Sequence, residues 1–211
     1  MVSKLDLVNH LLQVVGERRV LSLETGHPSV VQAVQALESY NKDFQGLGWW
    51  FNKNRNVTLV PNNRGEIYVP PEALGFSIVQ GKLQYEQSAE KLRYSRRGGR
   101  VYDSWKNTYN IGHNLVADLI IEIDIEDLPQ VAASYLKHSA AQNYYVDDDG
   151  DNSKADRLAE RTMLAWHSLK AAQLKAEATN ALDSPEAQRL RYRIGQMGAA
   201  SNPMYPGGRY R

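Results

Sequence analysis

The chain has 211 residues, with 25 basic and 24 acidic side chains and no cysteine. A formal charge of +1 excludes the strong overall positive field of a free nucleic-acid-binding protein. The absence of cysteine excludes disulfides, thiolate metal sites and a cysteine nucleophile.

Two helices are predicted at the start of the chain, within residues 1–48. The first has apolar residues at helical spacing after Ser3, a helix-capping residue type, and before Gly16, which favours a helix end. The second begins at Pro28 and ends near Gly46 and Gly48. Polar residues interrupt the apolar ones of the first helix, so we expect no secretory signal, and no segment has the length of a membrane span.

Residues 49–126 are predicted to form a β-rich insertion, because short β-branched or aromatic runs alternate with Gly, Pro and Asn. Its clearest strand is "ADLIIEIDIED", residues 117–127, where apolar residues alternate with mostly acidic ones. The aromatic run Trp49 to Phe51 stands at the junction with the second helix. We expect it to pack in the core rather than to bind a ligand.

The stretch "SRRGGRVYDSW", residues 95–105, carries Arg96, Arg97 and Arg100 around the pair Gly98-Gly99. A Walker-type phosphate loop would need a Lys-Ser/Thr pair that opens a helix, whereas a strand is predicted here. The favoured interpretation is a hairpin turn in which the glycines take positive φ values. A nucleic-acid patch made by the arginines stays open as a secondary role.

Acidic residues and histidines give no clear catalytic or metal site. Glu122, Asp124 and Glu126 share a face of the predicted strand, where paired carboxylates are able to hydrolyse glycosides, but a solvent-facing stripe explains them more simply. The segment "YVDDDGDNSKAD" fits a calcium loop poorly, since the first ligand position falls on Tyr145 and the twelfth on Asp156. The five histidines form no zinc motif. We therefore predict no catalytic residue, cofactor or metal.

Helices return in residues 127–183. One starts after Asp127-Leu128-Pro129, and a long alanine-rich helix follows Ser153, which forms a possible capping box with Asp156. The predicted fold class is therefore α+β, a helical bundle formed by N- and C-terminal helices with a β-rich insertion. Residues 184–211 contain five Arg and one Glu and are predicted to form a short basic helix and an extended tail that orders on a partner.

The order of five motifs resembles the tail tubular protein A family, the head-to-tail adaptors of short-tailed podophages. These motifs are "VLSLETG", "GWWFN", "VTLVP", "RGGRVYD" and "DLP", and the match extends over residues 5 to 170. The resemblance implies a structural virion protein that forms a twelve-subunit ring between the portal and the tail nozzle, tail tubular protein B. It also implies that genomic DNA passes through the ring, that tail fibres attach nearby, and that assembly takes place in the host cytoplasm.

Within that frame, the tail is expected to dock on the portal, with apolar anchors and arginines that meet an acidic surface. The expected portal-binding residues are Arg189, Leu190, Arg191, Tyr192, Arg193, Ile194, Tyr205, Arg209 and Tyr210. Arg96, Arg97 and Arg100 are expected to contact the nozzle, a fibre or DNA. We expect no enzymatic activity and no membrane partner; the alternatives are a virion-associated cell-wall hydrolase and a DNA-binding module that uses the basic tail.

Overall fold

The computed structural model describes residues 2–24, 26–79, 93–148 and 151–182, with side chains as far as residue 177. The chain divides into two compact units, residues 1–169 and 170–211. Of the second unit the structure describes residues 170–182, which are helical. The basic helix and tail predicted for residues 184–211 lie outside the described residues.

Within the described residues, helices occur near both ends. They are α1 (Lys4–Val14), α2 (Pro28–Gly46), α3 (Gln130–Asp147) and α4 (Asn152–Leu182), with a 3-10 turn at Ile125–Asp127. Ser3 caps α1 as predicted, because its Oγ accepts a hydrogen bond from the Asp6 amide at 3.1 Å. Pro28 occupies the first turn of α2, also as predicted.

The predicted capping box of the long helix is wrong. Ser153 lies inside α4, which begins at Asn152, and its hydroxyl donates to the Asp151 carboxylate at 2.6 Å. The carbonyl of Asp151 accepts the amides of Lys154 and Ala155, so the helix starts two residues earlier than the pattern indicated.

One hydrophobic core joins the helices. Its buried residues include Leu7 and Leu11 of α1, Leu37 of α2, Leu136 of α3 and Leu169 of α4. The aromatic run at the junction packs against this core, which confirms that prediction. Trp49 is buried and makes ring contacts with Phe44 and Trp166 at centroid distances of 5.3 and 5.6 Å.

A second core lies under two antiparallel sheets. The larger sheet has the order β1-β5-β2, formed by β1 (Lys53–Leu59), β2 (Ala73–Ile78) and β5 (Leu115–Ile121). The smaller one pairs β3 (Tyr94–Arg97) with β4 (Arg100–Asp103). Leu115, Ala117 and Leu119 of the central strand β5 are buried and alternate with partly exposed residues, as predicted for a half-buried strand.

The predicted length of that strand is wrong, because β5 ends at Ile121. The backbone of Ile123 pairs with a side chain instead of a strand: its amide donates to Gln45 Oε1 at 2.8 Å, and its carbonyl accepts from Gln45 Nε2 at 2.7 Å. Ile125 then enters the helical core within the 3-10 turn. Elsewhere in the predicted β-rich insertion, the run "GEIYVPP", residues 65–71, forms isolated bridges at Glu66 and Tyr68 instead of a strand.

Gln45 belongs to a buried polar network between α2 and the segment after β5. Its Nε2 also donates to Asn41 Oδ1 at 3.0 Å, and its carbonyl accepts from Asn52 Nδ2 at 2.9 Å. Asn52 Oδ1 in turn accepts the Trp49 amide at 2.8 Å. The fold-class prediction of an α+β protein with a β-rich insertion between helices is confirmed. The residue boundaries predicted for its domains stay a prediction.

Candidate functional site

The arginine-glycine stretch forms a tight hairpin. Gly98 and Gly99 have φ values of +55° and +75°, the combination that a two-residue turn of type I′ requires. The strands pair in register around them, with Arg97 opposite Arg100 and Tyr94 opposite Asp103. The predicted hairpin turn is therefore confirmed.

Strand pairing separates the three arginines that the sequence groups together. Residues opposite each other in an antiparallel pair share a face, so Arg97 and Arg100 lie on one face of the hairpin. Arg96 pairs with the buried Val101 on the other face and donates a hydrogen bond to the carbonyl of Ala73. Arg96 therefore fastens the hairpin to β2, whereas the other two arginines are directed away from that contact.

Four side chains make up the arginine–tyrosine face, which we define as Arg97, Arg100, Tyr102 and Tyr109. The Arg97 guanidinium carbon lies 4.0 Å from the Tyr102 ring centroid, and that of Arg100 lies 4.2 Å from the Tyr109 centroid. The two rings meet edge to face with centroids 5.0 Å apart. Cation–π contacts of this kind hold a guanidinium in place without removing its charge.

Arg100 is also charge-paired. Its Nη1 lies 2.7 Å from Glu66 Oε1, and the other oxygen of that carboxylate accepts from the Tyr68 hydroxyl at 3.3 Å. The face is thus assembled from strands β3 and β4 and the loop after β4, and the segment before β2 supports it through Glu66. Its geometry is preorganised, which lowers the entropy cost of binding a partner.

A buried ion pair supports one end of the hairpin. Arg93 donates from Nε and Nη2 to Asp103 Oδ2 at 3.0 and 2.6 Å. The hydrogen bond from Arg93 keeps the pKa of Asp103 below its ordinary value, against the opposing effect of burial. The second oxygen, Oδ1, accepts the amides of Trp105 and Lys106 at 3.0 and 3.1 Å. Asp103 therefore holds the loop that presents Trp105.

Two large aromatic side chains are exposed near the hairpin, Tyr68 next to Arg100 and Trp105 next to Arg93. Trp105 is 62% exposed and Tyr68 is 59% exposed. Sequence reasoning missed both, together with Tyr102 and Tyr109. The alternation of Arg100 and Tyr102 on either side of Val101 carried a signal, because period-2 spacing places both on one strand face.

The acidic residues after β5 do not form a strand face. Because β5 ends at Ile121, Glu122, Asp124 and Glu126 lie in the linker and line an open pocket of about 430 Å³ beside Lys4. Lys4 is itself paired with Glu38 at 2.6 Å. The shared strand face, on which the glycosidase alternative depended, is therefore absent from this part of the structure.

In the part of the chain that the structure describes, no group of three or more His, Asp or Glu side chains is arranged to hold a metal ion. No helix among those residues is both long and apolar enough to cross a membrane. The expected portal-binding residues, Arg189 to Ile194, Tyr205, Arg209 and Tyr210, lie outside the described residues.

A rigid hairpin that presents arginines and exposed aromatic rings is typical of a protein that binds other macromolecules. The comparisons with known proteins agree with that class. A family model described as "Tail tubular protein" matches residues 5–202. The chain is also 30% identical over 161 residues to tail tubular protein A of Klebsiella phage KP34, which covers 75% of this chain and 81% of that protein.

The chain belongs to the tail tubular protein family. It is accordingly a structural protein of a phage tail, and its place is in the virion. The resemblance identified from five short motifs is confirmed at the level of this family.

Proposed function

We propose that the protein is a head-to-tail adaptor, a ring that joins the portal to the tail nozzle and forms part of the conduit for DNA ejection. The observation that carries this proposal is the similarity to tail tubular protein A over three quarters of the chain. The family match extends through both hydrophobic cores of the described structure, so it does not depend on one motif.

A closed ring requires each subunit to offer two different surfaces, one to each neighbour. The helical part has exposed apolar side chains on separate elements: Val31 on α2 is 44% exposed, and Met163 and Leu164 on α4 are 62% and 69% exposed. Burying such side chains contributes about 25 cal/mol per Å² of apolar area. These surfaces support a heterologous contact between copies, and the proposed ring has twelve subunits.

The arginine–tyrosine face is proposed to contact the tail nozzle or a tail fibre rather than DNA. Arginine, tyrosine and tryptophan dominate the binding energy of protein interfaces. Arg100 already has a carboxylate partner in Glu66, so this face is less suited to neutralising phosphates than an unpaired cluster would be. Arg96, which bonds to the Ala73 carbonyl, is assigned to the fold instead.

The C-terminal tail is proposed to bind the portal by folding on it. The sequence of residues 184–211 combines five arginines with the apolar Leu190, Tyr192 and Ile194, which suits an amphipathic segment on an acidic surface. Ring formation and portal binding can therefore be tested separately, because we assign the contact between ring subunits to the helical part and the portal contact to the C-terminal tail.

Native mass spectrometry of the chain mixed with its phage's portal tests the proposal. Full-length protein should give a ring stacked on the portal, and a 1–183 truncation should lose that complex. Arg97→Ala with Tyr102→Ala should leave the portal complex intact and weaken nozzle or fibre binding, while the exposed Arg55→Ala serves as the matched control. Absence of any portal complex with full-length protein would refute the adaptor role.

A further inference from the structure

A second basic site lies in the helical part, away from the residues of the hairpin face. An open pocket of about 280 Å³ is lined by His10 and Gln13 of α1 and by Lys154, Arg157 and Arg161 of α4. We call these five residues the basic pocket. The three cations stand at i, i+3 and i+7 of α4, a spacing that places them on one face of a helix.

The cations of this pocket have no ion-pair partner among the described residues. The four ion pairs in that part of the chain join Lys4 to Glu38, Lys53 to Asp118, Arg93 to Asp103 and Arg100 to Glu66. Lys154 Nζ donates to the Val14 carbonyl and Arg157 Nε to the Ser153 carbonyl, which position the side chains without neutralising them. Asp151 interacts with Arg157 electrostatically without forming an ion pair, and Lys154 Nζ lies 4.6 Å from the Tyr145 ring centroid, so the pocket stays positively charged.

His10 responds to burial and to several basic groups, of which Arg161 belongs to the pocket. Burial, the larger cause, and nearby basic groups together lower the pKa of His10 from 6.5 to about 4. Those groups come from the loop after α1, from α3 and from α4: Lys137, His138, Arg161 and Arg19. The buried Nε2 of His10 has no hydrogen-bond partner among the described residues. An anion in the pocket would offset the positive charge near His10.

We propose that the basic pocket binds phosphate groups of the DNA backbone. Lys154 to Arg161 spans seven residues, about 10 Å of helix. Phosphates of one strand of a duplex follow one another at about 3.4 Å along the axis, so a helix beside the backbone meets several of them. The argument that the pocket binds phosphate rests on the structure. The identification of that phosphate as part of DNA that crosses the ring rests on the proposed function.

An acidic protein segment fits this pocket less well than DNA. Protein interfaces concentrate aromatic rings at their centre, and the arginine–tyrosine face has them, but no aromatic side chain lines the described pocket. Its lining consists of side chains that can donate to an anion and of the apolar Val14 and Leu158. Arginine forks and a lysine are the usual ligands of phosphate oxygens.

The first test is binding of a fluorescent 20-base-pair duplex to the full-length chain at several salt concentrations. Arg157→Gln with Arg161→Gln should weaken binding about tenfold and reduce the slope of log K against log salt by about 1.8, since each lost phosphate contact accounts for about 0.9. The charge-matched control, Arg55→Gln with Arg64→Gln at two exposed positions, should leave both values within about twofold of the unmodified chain. Equal losses in the two double variants would overturn the proposal.

The second test needs no variant. Duplex DNA should raise the pKa of His10 in NMR titrations of the unmodified chain, because a bound anion favours the protonated imidazole. A matched length of poly-glutamate that raises this pKa as strongly would assign the pocket to an acidic protein and overturn the DNA assignment. If inorganic phosphate raises the pKa of His10 as strongly as DNA at the same total phosphate concentration, the DNA backbone is not the specific ligand and the proposal is wrong. Neither test contains a portal, so both can be interpreted even if the protein is not a head-to-tail adaptor.

Discussion

Replacing Gln45 by leucine tests the link between the helices and the strands. Gln45 is fully buried, and its amide satisfies both backbone groups of Ile123 at 2.8 and 2.7 Å. Leucine has a similar volume and helix propensity, so the change removes the hydrogen bonds with little effect on α2 itself. The backbone of Ile123 and Asn41 Oδ1 then lose their partner.

The expected cost follows from those unsatisfied groups. A buried donor or acceptor that loses its partner costs about 1–3 kcal/mol. Two backbone groups are affected, but Ile123 is half-buried and water is able to reach it, so we expect the lower half of the range, about 2–4 kcal/mol in total. Urea unfolding followed by tryptophan fluorescence measures this, because Trp49 is buried in the helical core.

Two further variants sharpen the test. Gln32→Leu changes an exposed position of the same helix and should alter the free energy of unfolding by less than about 0.5 kcal/mol. Gln45→Glu introduces a carboxylate that faces the Ile123 carbonyl, which raises the pKa of the new carboxyl in the folded state. Its deficit relative to the unmodified chain should therefore grow as pH rises above about 4.3. A stability of Gln45→Leu equal to that of Gln32→Leu would refute the reasoning.

Two other predictions concern the hairpin. Gly99→Ala should lower the free energy of unfolding in urea by about 1–2 kcal/mol, because φ is +75° there although open space surrounds the position. Gly46→Ala is the control, since Gly46 lies at a helix end with ordinary φ and equally open space, and it should cost less. Equal losses of stability in the two variants would contradict this explanation. Asp103→Asn should cost about 2–4 kcal/mol at pH 7, because it breaks the pair with Arg93. The pKa of Asp103 is lower in the folded than in the unfolded state, so its carboxylate stabilises the fold at pH values above the unfolded-state pKa. This stabilisation is lost as the pH falls through the folded-state pKa. A stability deficit of Asp103→Asn that persists undiminished at pH 2 would contradict this prediction.

The hairpin was predictable from sequence because the physics is local. Two adjacent glycines between β-type residues favour one turn, and that turn determines which residues stand opposite each other. Even the separation of Arg96 from Arg97 and Arg100 follows from that register. The partners of Arg100 were not predictable, because Glu66 is 34 residues away in sequence and Tyr109 lies beyond a loop.

The end of β5 shows the opposite case. Alternation of apolar and acidic residues continues through Ile125, so the local pattern favours a longer strand. Strand length depends on neighbours, and at Ile123 the available neighbour is the Gln45 side chain from α2, 78 residues away. Ile125 keeps its apolar role but serves the helical core instead of the sheet. A period-2 pattern therefore predicts which residues are buried better than it predicts what they are buried against.

The same limit applies to the basic pocket. The spacing of Lys154, Arg157 and Arg161 indicates one helix face, but sequence does not show that this face lies beside His10 of α1. A charged face on a helix is usually solvated. Here it lines a pocket together with a histidine whose buried Nε2 has no partner among the described residues, and only the tertiary packing of the helices reveals that combination.

Salt should distinguish the two arginine sites. On the hairpin, Arg100 is paired with Glu66 and both arginines of the face lie on tyrosine rings, so a protein partner would replace few counterions there. In the basic pocket the positive charges have no carboxylate partner among the described residues, so a phosphate backbone would release counterions and binding would fall steeply with salt. The adaptor ring that we propose would benefit from this division, because contacts that hold the assembly together would persist at ionic strengths that release the DNA.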